Sequence, residues 1–127
     1  MSAPGDDRRL VTVVTSPEPQ TQFMAMVLSM QAIQRGVPSH ILLCGPGGDL
    51  ALAEAPESAT APQPPRGMSP QGLMPQIMAA GARVEVCALY LPGRGATPEA
   101  RLPGIGVAAP PEMAAAMLAD DTAIWSF

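Results

Sequence analysis

Twice in this chain a helical run ends on a glycine and passes into a short aliphatic run that closes on a cysteine. The first instance reads Ile33-Gln34-Arg35-Gly36, then Ile41-Leu42-Leu43-Cys44; the second reads Met78-Ala79-Ala80-Gly81, then Val84-Glu85-Val86-Cys87. A glycine just past a periodic apolar segment is a left-handed helix stop, and a short apolar run bounded by turn residues is a buried strand. Leu10-Val11-Thr12-Val13-Val14 supplies a strand ahead of the first instance. A helix of about 18 residues between two strands is the crossover that parallel pairing requires. Few architectures accept that pattern repeated.

The rest of the chain continues the alternation. Thr15 or Ser16 followed by Pro17 and Glu18 predicts a capped helix start. Phe23, Met26, Val27, Met30 and Ile33 then form its inner stripe, widened by Met24 and Leu28. Gly45 to Asp49 reads as a loop, with one or two helical turns over 50–55. Ser69-Pro70 repeats the cap-plus-proline start of a helix running to Ala80, with Leu73, Met74, Ile77 and Met78 inward, and Pro75 kinks it or delays its regular start. After Cys87 comes a loop rich in Pro and Gly, then a single turn at Thr97-Pro98-Glu99 and a weak strand at Ile105-Gly106-Val107-Ala108. Pro110-Pro111-Glu112 opens a last helix with Met113, Ala114, Met117 and Leu118 inward, and Ala123–Phe127 is the closing strand. The predicted fold is α/β: three layers, α/β/α, around a mainly parallel five-stranded sheet of flavodoxin-like appearance. It forms one domain over 1–127, with residues 1–8 a polar tail and 56–67, which holds Pro56, Pro62, Pro64 and Pro65, a mobile loop.

Composition narrows the function classes. Hydrophobic residues make up 47% of the chain and aromatics only 3%, so the core is aliphatic, with nine methionines as gap-fillers. The formal net charge is −4, the seven basic residues are all arginine and scattered, and there is no aromatic platform, which argues against nucleic-acid binding. No apolar run approaches the roughly 20 residues that cross a membrane. The first nine residues lack a signal peptide's apolar segment, so the chain reads as cytoplasmic and its cysteines as reduced thiols.

Ligands of open α/β sheets bind beyond the carboxyl ends of the strands, where both cysteines fall. A thiol there is partly exposed, and the guanidinium of Arg94 favours its reactive thiolate form. Cys87 is therefore the candidate nucleophile and Arg94 its helper; the competing reading is a packed strand residue, since free cysteine is among the most buried residue types. Cys44 is a weaker candidate of the same kind. Cys44-Gly45-Pro46-Gly47-Gly48 resembles a phosphate loop in its glycines but lacks the Gly-Lys-Ser/Thr ending, and reads as a turn whose backbone N–H groups (Gly45, Gly47, Gly48) are candidate anion ligands. His40, the only histidine, falls at the opposite end of its strand, which argues against a Cys–His pair and against zinc. Neither a metal nor a cofactor is expected. If Cys44 and Cys87 come within about 7 Å at their Cα atoms, a reversible disulfide becomes open to them.

The stretch Gly81–Cys87 with Arg94-Gly95 following, the stretch Leu102-Pro103-Gly104-Ile105-Gly106-Val107, the closing strand Thr122–Phe127 and the first strand and helix over Leu10–Gly36 together resemble the DsrE/DsrF-like family, small α/β proteins associated with sulfur metabolism. The resemblance spans nearly the whole chain. It implies homo-oligomers, trimers or hexamers, and, in sulfur-relay members, a cysteine matching Cys87 that accepts a persulfide sulfur from a donor protein and passes it to an acceptor. Gly95 joins Arg94 among the candidate site residues on this basis. Some relatives carry a second cysteine where this chain has Tyr90. The expectation is a sulfur carrier or sulfurtransferase-like protein; the alternative is a non-catalytic homo-oligomeric binding or scaffold protein.

Overall fold

The computed structural model describes residues 8–127, so the tail read over 1–8 lies outside the described residues except for Arg8. Five strands form one wholly parallel sheet: β1 (Arg9–Val14), β2 (Ser39–Leu43), β3 (Arg83–Cys87), β4 (Gly106–Ala108) and β5 (Thr122–Ser126), in the order β4-β3-β2-β1-β5. From β1 to β4 the chain steps one way across the sheet, and its last crossover carries it back to the far side of β1.

Alternate residues along the strands face two different cores. Val14, Ile41, Leu43, Val84 and Val86 join the larger one, under helices α1 (Pro19–Gln34) and α3 (Met74–Ala79). Val11, Leu42 and Ala108 face the other side, where Met113 of α5 (Pro110–Leu118) covers them. The sheet is thus sandwiched between helices, heavily on one face and lightly on the other. Among the described residues no helix is long and apolar enough to cross a membrane.

Several local features differ from the sequence expectation, each for a physical reason. The cap of α1 is Glu18, not Ser16 or Thr15: its carboxylate accepts from the Gln20 and Thr21 N–H groups. Pro19 explains the shift, because a residue before proline is kept out of the helical region, and Glu18 sits at φ −83°, ψ 124°. The inner stripe of α1 is Gln22, Ala25, Met26, Ser29 and Ala32, while Met24 is 45% and Leu28 38% exposed. Small residues let the helix approach the sheet closely, and Ser29 Oγ shares a buried 2.9 Å hydrogen bond with Thr12 Oγ1. The buried pair stands because an unmatched hydroxyl costs about 1–3 kcal/mol. In α5 only Met113 is fully buried; Ala116 and Met117 flank it, and Leu118 is 81% exposed rather than inward.

Gly36 and Gly81, at φ +87° and +107°, end their helices as read. Pro75 lies in the first turn of α3, and Ser69 Oγ accepts from Gly72 N–H, so the helix starts regularly only at Met74 after a 3-10 turn over Gln71–Leu73. The proline-rich stretch 56–67 contains a helical turn, α2 (Glu57–Thr60), with Ala59 fully buried, and Gln63 pairs with Met68 through its N–H.

Candidate functional site

Parallel register builds the site. Leu42 pairs with Glu85 and Leu43 with Val86, so the next residues, Cys44 and Cys87, emerge side by side at the carboxyl edge of the sheet. Cys44 keeps extended geometry (φ −127°, ψ 153°) and donates its N–H to the Val14 carbonyl, which holds it in line with β1. Both thiols are free and half-buried.

The two segments that leave these strands differ from the loops expected there. After Cys44 the glycine-rich run is itself a 3-10 helix, Gly45–Ala51. A side chain on Gly47 would overlap the Val14 carbonyl and one on Gly48 the Tyr90 ring. Only glycine permits this close packing, and the Gly47 N–H is spent on the Cys44 carbonyl. After Cys87 the chain turns at once into a short helix, α4 (Tyr90–Gly93), which buries Tyr90 and Leu91.

These two segments are stitched together by three side chains. The Tyr90 hydroxyl donates to Asp49 Oδ1, and Arg94 Nη2 reaches the same oxygen at 3.0 Å. The Arg94 guanidinium also stands 5.8 Å from the centre of the Tyr90 ring, a cation–π distance. Burial and the bond to Asp49 push the Tyr90 phenol up to about 12, with Arg94 opposing. The cluster walls an open cavity of about 670 Å³ whose lining includes Gly45, Cys87, Leu89 and Arg94.

Cys87 and Arg94 thus line one cavity, together with Gly45. Gly47 and Gly48 are buried in the packing beneath, and Gly95 follows α4 with φ +69°. Cys44 packs toward the thinner core. Burial pushes its thiol up to about 11, and the neighbouring Cys87 adds to this by its charge and by a hydrogen bond between the two side chains.

Sequence reasoning missed Asp49 and Tyr90. Asp49 read as a turn residue and Tyr90 only as a replaced cysteine. The available signal was position: each follows a strand's carboxyl end by a few residues, where ligand-binding groups gather.

His40 lies at the other end of β2, with Nε2 2.6 Å from Glu85 Oε1, and Arg83 Nη2 holds Glu85 Oε2 at 3.1 Å. His40 and Arg83 lie toward the amino ends of their strands, away from the thiols, and draw the Glu85 carboxylate to themselves. Among the described residues no three His, Cys, Asp or Glu side chains converge as a metal-holding group.

No protein-family model and no curated protein sequence matches the chain. Solved structures do. The ychN protein from E. coli is 18% identical, over 94% of this chain and 99% of that one, with a TM-score of 0.69. MTH1491 from Methanobacterium thermoautotrophicum, a protein of unknown function, is 13% identical over 95% and 100%, with a TM-score of 0.70. The likeness is one of fold, a flavodoxin-like parallel five-stranded sheet with helices on both faces.

Proposed function

We propose that this protein is a sulfur carrier, or sulfurtransferase-like protein, with Cys87 as the atom-bearing residue. The observation that carries the reading is the position of Cys87: a free thiol at the carboxyl edge of a parallel sheet, lining a cavity with an arginine on its wall. In the step it would perform, the Cys87 thiolate attacks the outer sulfur of a donor persulfide. A new S–S bond forms on Cys87, the donor's S–S bond breaks, and the donor leaves as a thiolate. Transfer to an acceptor thiolate repeats the exchange in reverse. No net oxidation occurs, so no metal or redox cofactor is needed.

Arg94, on the wall of the same cavity, would offer a cation to the carried persulfide. Its pairing with Asp49 limits that help, because a guanidinium already bonded to a carboxylate presents little net charge. Asp49 and Tyr90 act as positioning residues that aim Arg94 along the cavity wall. The resemblance to the DsrE/DsrF-like family adds donor and acceptor proteins and a homotrimer or homohexamer to this reading.

Incubation of the reduced protein with a persulfide donor, followed by mass analysis of the Cys87 peptide, tests it. One added sulfur on Cys87, absent in Cys87→Ser, is the expected result; an unmodified thiol under conditions that load an established carrier overturns it. The alternative, a non-catalytic homo-oligomeric binding or scaffold protein, is favoured by the packing of Cys87 against the larger core. It predicts that Cys87→Ser changes neither assembly nor cellular phenotype. Sedimentation equilibrium checks the assembly itself, and a monomer mass removes the oligomer from both readings.

A further inference from the structure

Two thiols, not one, stand at the edge where the carrier reading needs only Cys87. Resting on that reading, we propose that Cys44 is a resolving thiol, which attacks the loaded Cys87 at Sγ, closes a Cys44–Cys87 disulfide and expels the carried sulfur as sulfide.

The geometry comes from the strand register. Cys44 and Cys87 follow the paired residues Leu43 and Val86 on adjacent parallel strands. Neighbouring strands run roughly 4.8 Å apart, inside the Cα separation of about 4.4–6.8 Å that a disulfide spans. Side chains alternate along a strand. Cys44 continues the face of Leu42 and Cys87 that of Glu85, the register partner of Leu42, so the two residues leave adjacent strands on matching faces, although the Cys87 side chain at the strand end also reaches the larger core. Their side chains are near enough that Cys87 is among the causes that raise the Cys44 thiol.

The two cysteines are not equivalent, and their difference suits the two roles. Cys87 opens onto the cavity, where a donor can reach it. Cys44 packs against the core of Val11, Leu42, Ala108 and Met113. Held protonated by that burial, it does not compete for the donor. Once Cys87 carries a persulfide anion, that anion is a base beside the Cys44 thiol. Proton transfer to the persulfide frees the Cys44 thiolate, which attacks Cys87 Sγ. The Cys44–Cys87 bond forms, the bond from Cys87 to the outer sulfur breaks, and HS⁻ leaves. The carried sulfur gains two electrons and the two cysteine sulfurs lose one each. The disulfide is then reopened by a dithiol reductant, the class of reaction that must follow for turnover.

The test uses the full chain in two assays. In an oxidising glutathione buffer, peptide mapping is expected to find the Cys44–Cys87 disulfide; recovery of mixed glutathione disulfides alone overturns the inference. In the second assay, reduced wild type and Cys44→Ser are exposed to inorganic polysulfide without oxygen, freed of excess reagent, and followed by mass and by sulfide release. Wild type is expected to lose the added sulfur, shed two hydrogens and release one equivalent of sulfide per loaded Cys87, while Cys44→Ser keeps the adduct. If wild type keeps its adduct as long as Cys44→Ser does, the resolving step is wrong and the carrier reading stands. If neither chain takes up sulfur on Cys87, the carrier reading falls and this step falls with it.

Discussion

Titration separates the causes acting on Cys44 and Tyr90, the two residues at the site whose pKa values are raised. The Cys44 thiol sits at about 11 against an ordinary 9.0, with burial the largest cause and Cys87 the second. Alkylation of Cys44 followed against pH should therefore show a midpoint near 11. In Cys87→Ser the neighbouring charge and the thiol–thiol hydrogen bond are gone, so the midpoint should fall, yet stay above 9.0 because burial persists. A midpoint unchanged in that variant would mean that the two thiols do not sense each other. Tyr90 gives a stability counterpart. Its phenol is raised from 10.0 to about 12 in the folded chain, so the neutral form is the one the fold favours. That stabilisation is fully present below pH 10 and is lost as pH rises toward 12. Denaturant midpoints measured across this window should fall for wild type and flatten for Tyr90→Phe, which at neutral pH should itself cost about 1–2 kcal/mol for the hydrogen bond to Asp49. Cys87 and Arg94 were legible in the sequence because strand ends are readable from short apolar runs. The Asp49–Tyr90–Arg94 contact was not, since a bond between residues 41 positions apart leaves no periodic trace.

At the scale of elements, the glycines of the segment after β2 decide how closely it approaches α4. Gly48→Ala should push against the Tyr90 ring and cost about 1–3 kcal/mol, the range for overpacking a filled site. Because Tyr90 and Arg94 both anchor on Asp49, the same change should also alter the accessibility of Cys87, readable as its rate of alkylation. Gly93→Ala is the control: its Cβ meets nothing within 4 Å, and its effect should stay within about 0.5 kcal/mol. Equal losses from the two variants would show that the fit against Tyr90 is not what demands glycine. The order of strands and helices, and the stops at Gly36 and Gly81, were legible because turn chemistry is local. The buried stripe of α1 was legible only in part. Hydrophobicity pointed to Met26, which is fully buried, and to Met30 and Ile33, which pack against the core, but also to Met24 and Leu28, whereas contact with the sheet selects by size and took Ala25, Ser29 and Ala32.

Across the whole molecule the two faces of the sheet are unequally held. The larger core draws buried residues from α1, α3, α4 and the segment after β2, whereas the other face depends on Met113, the one fully buried residue of α5. That helix is also the crossover that delivers β5 to the edge of the sheet beside β1. Met113→Ala removes most of its grip, and core methionine truncations cost about 2–5 kcal/mol. Loss of grip should be local before it is global. The strands β1, β2 and β3 keep the larger core and their mutual pairing, while β5 keeps its ladder with β1 and a single anchor at its end, Phe127, which packs against the larger core and accepts from the Thr15 N–H. Amide hydrogen exchange should therefore show α5 and β5 opening at lower free energy than β1 to β3 in wild type, with the gap widened in Met113→Ala. Uniform loss of protection across all five strands would mean that the two cores unfold as one unit. Local opening has a consequence for the site, because Cys44 packs on the same minor core as Met113. Lifting α5 would expose that thiol from behind, so Cys44 alkylation should speed up in Met113→Ala, and by a larger factor than that of Cys87, which already faces the cavity.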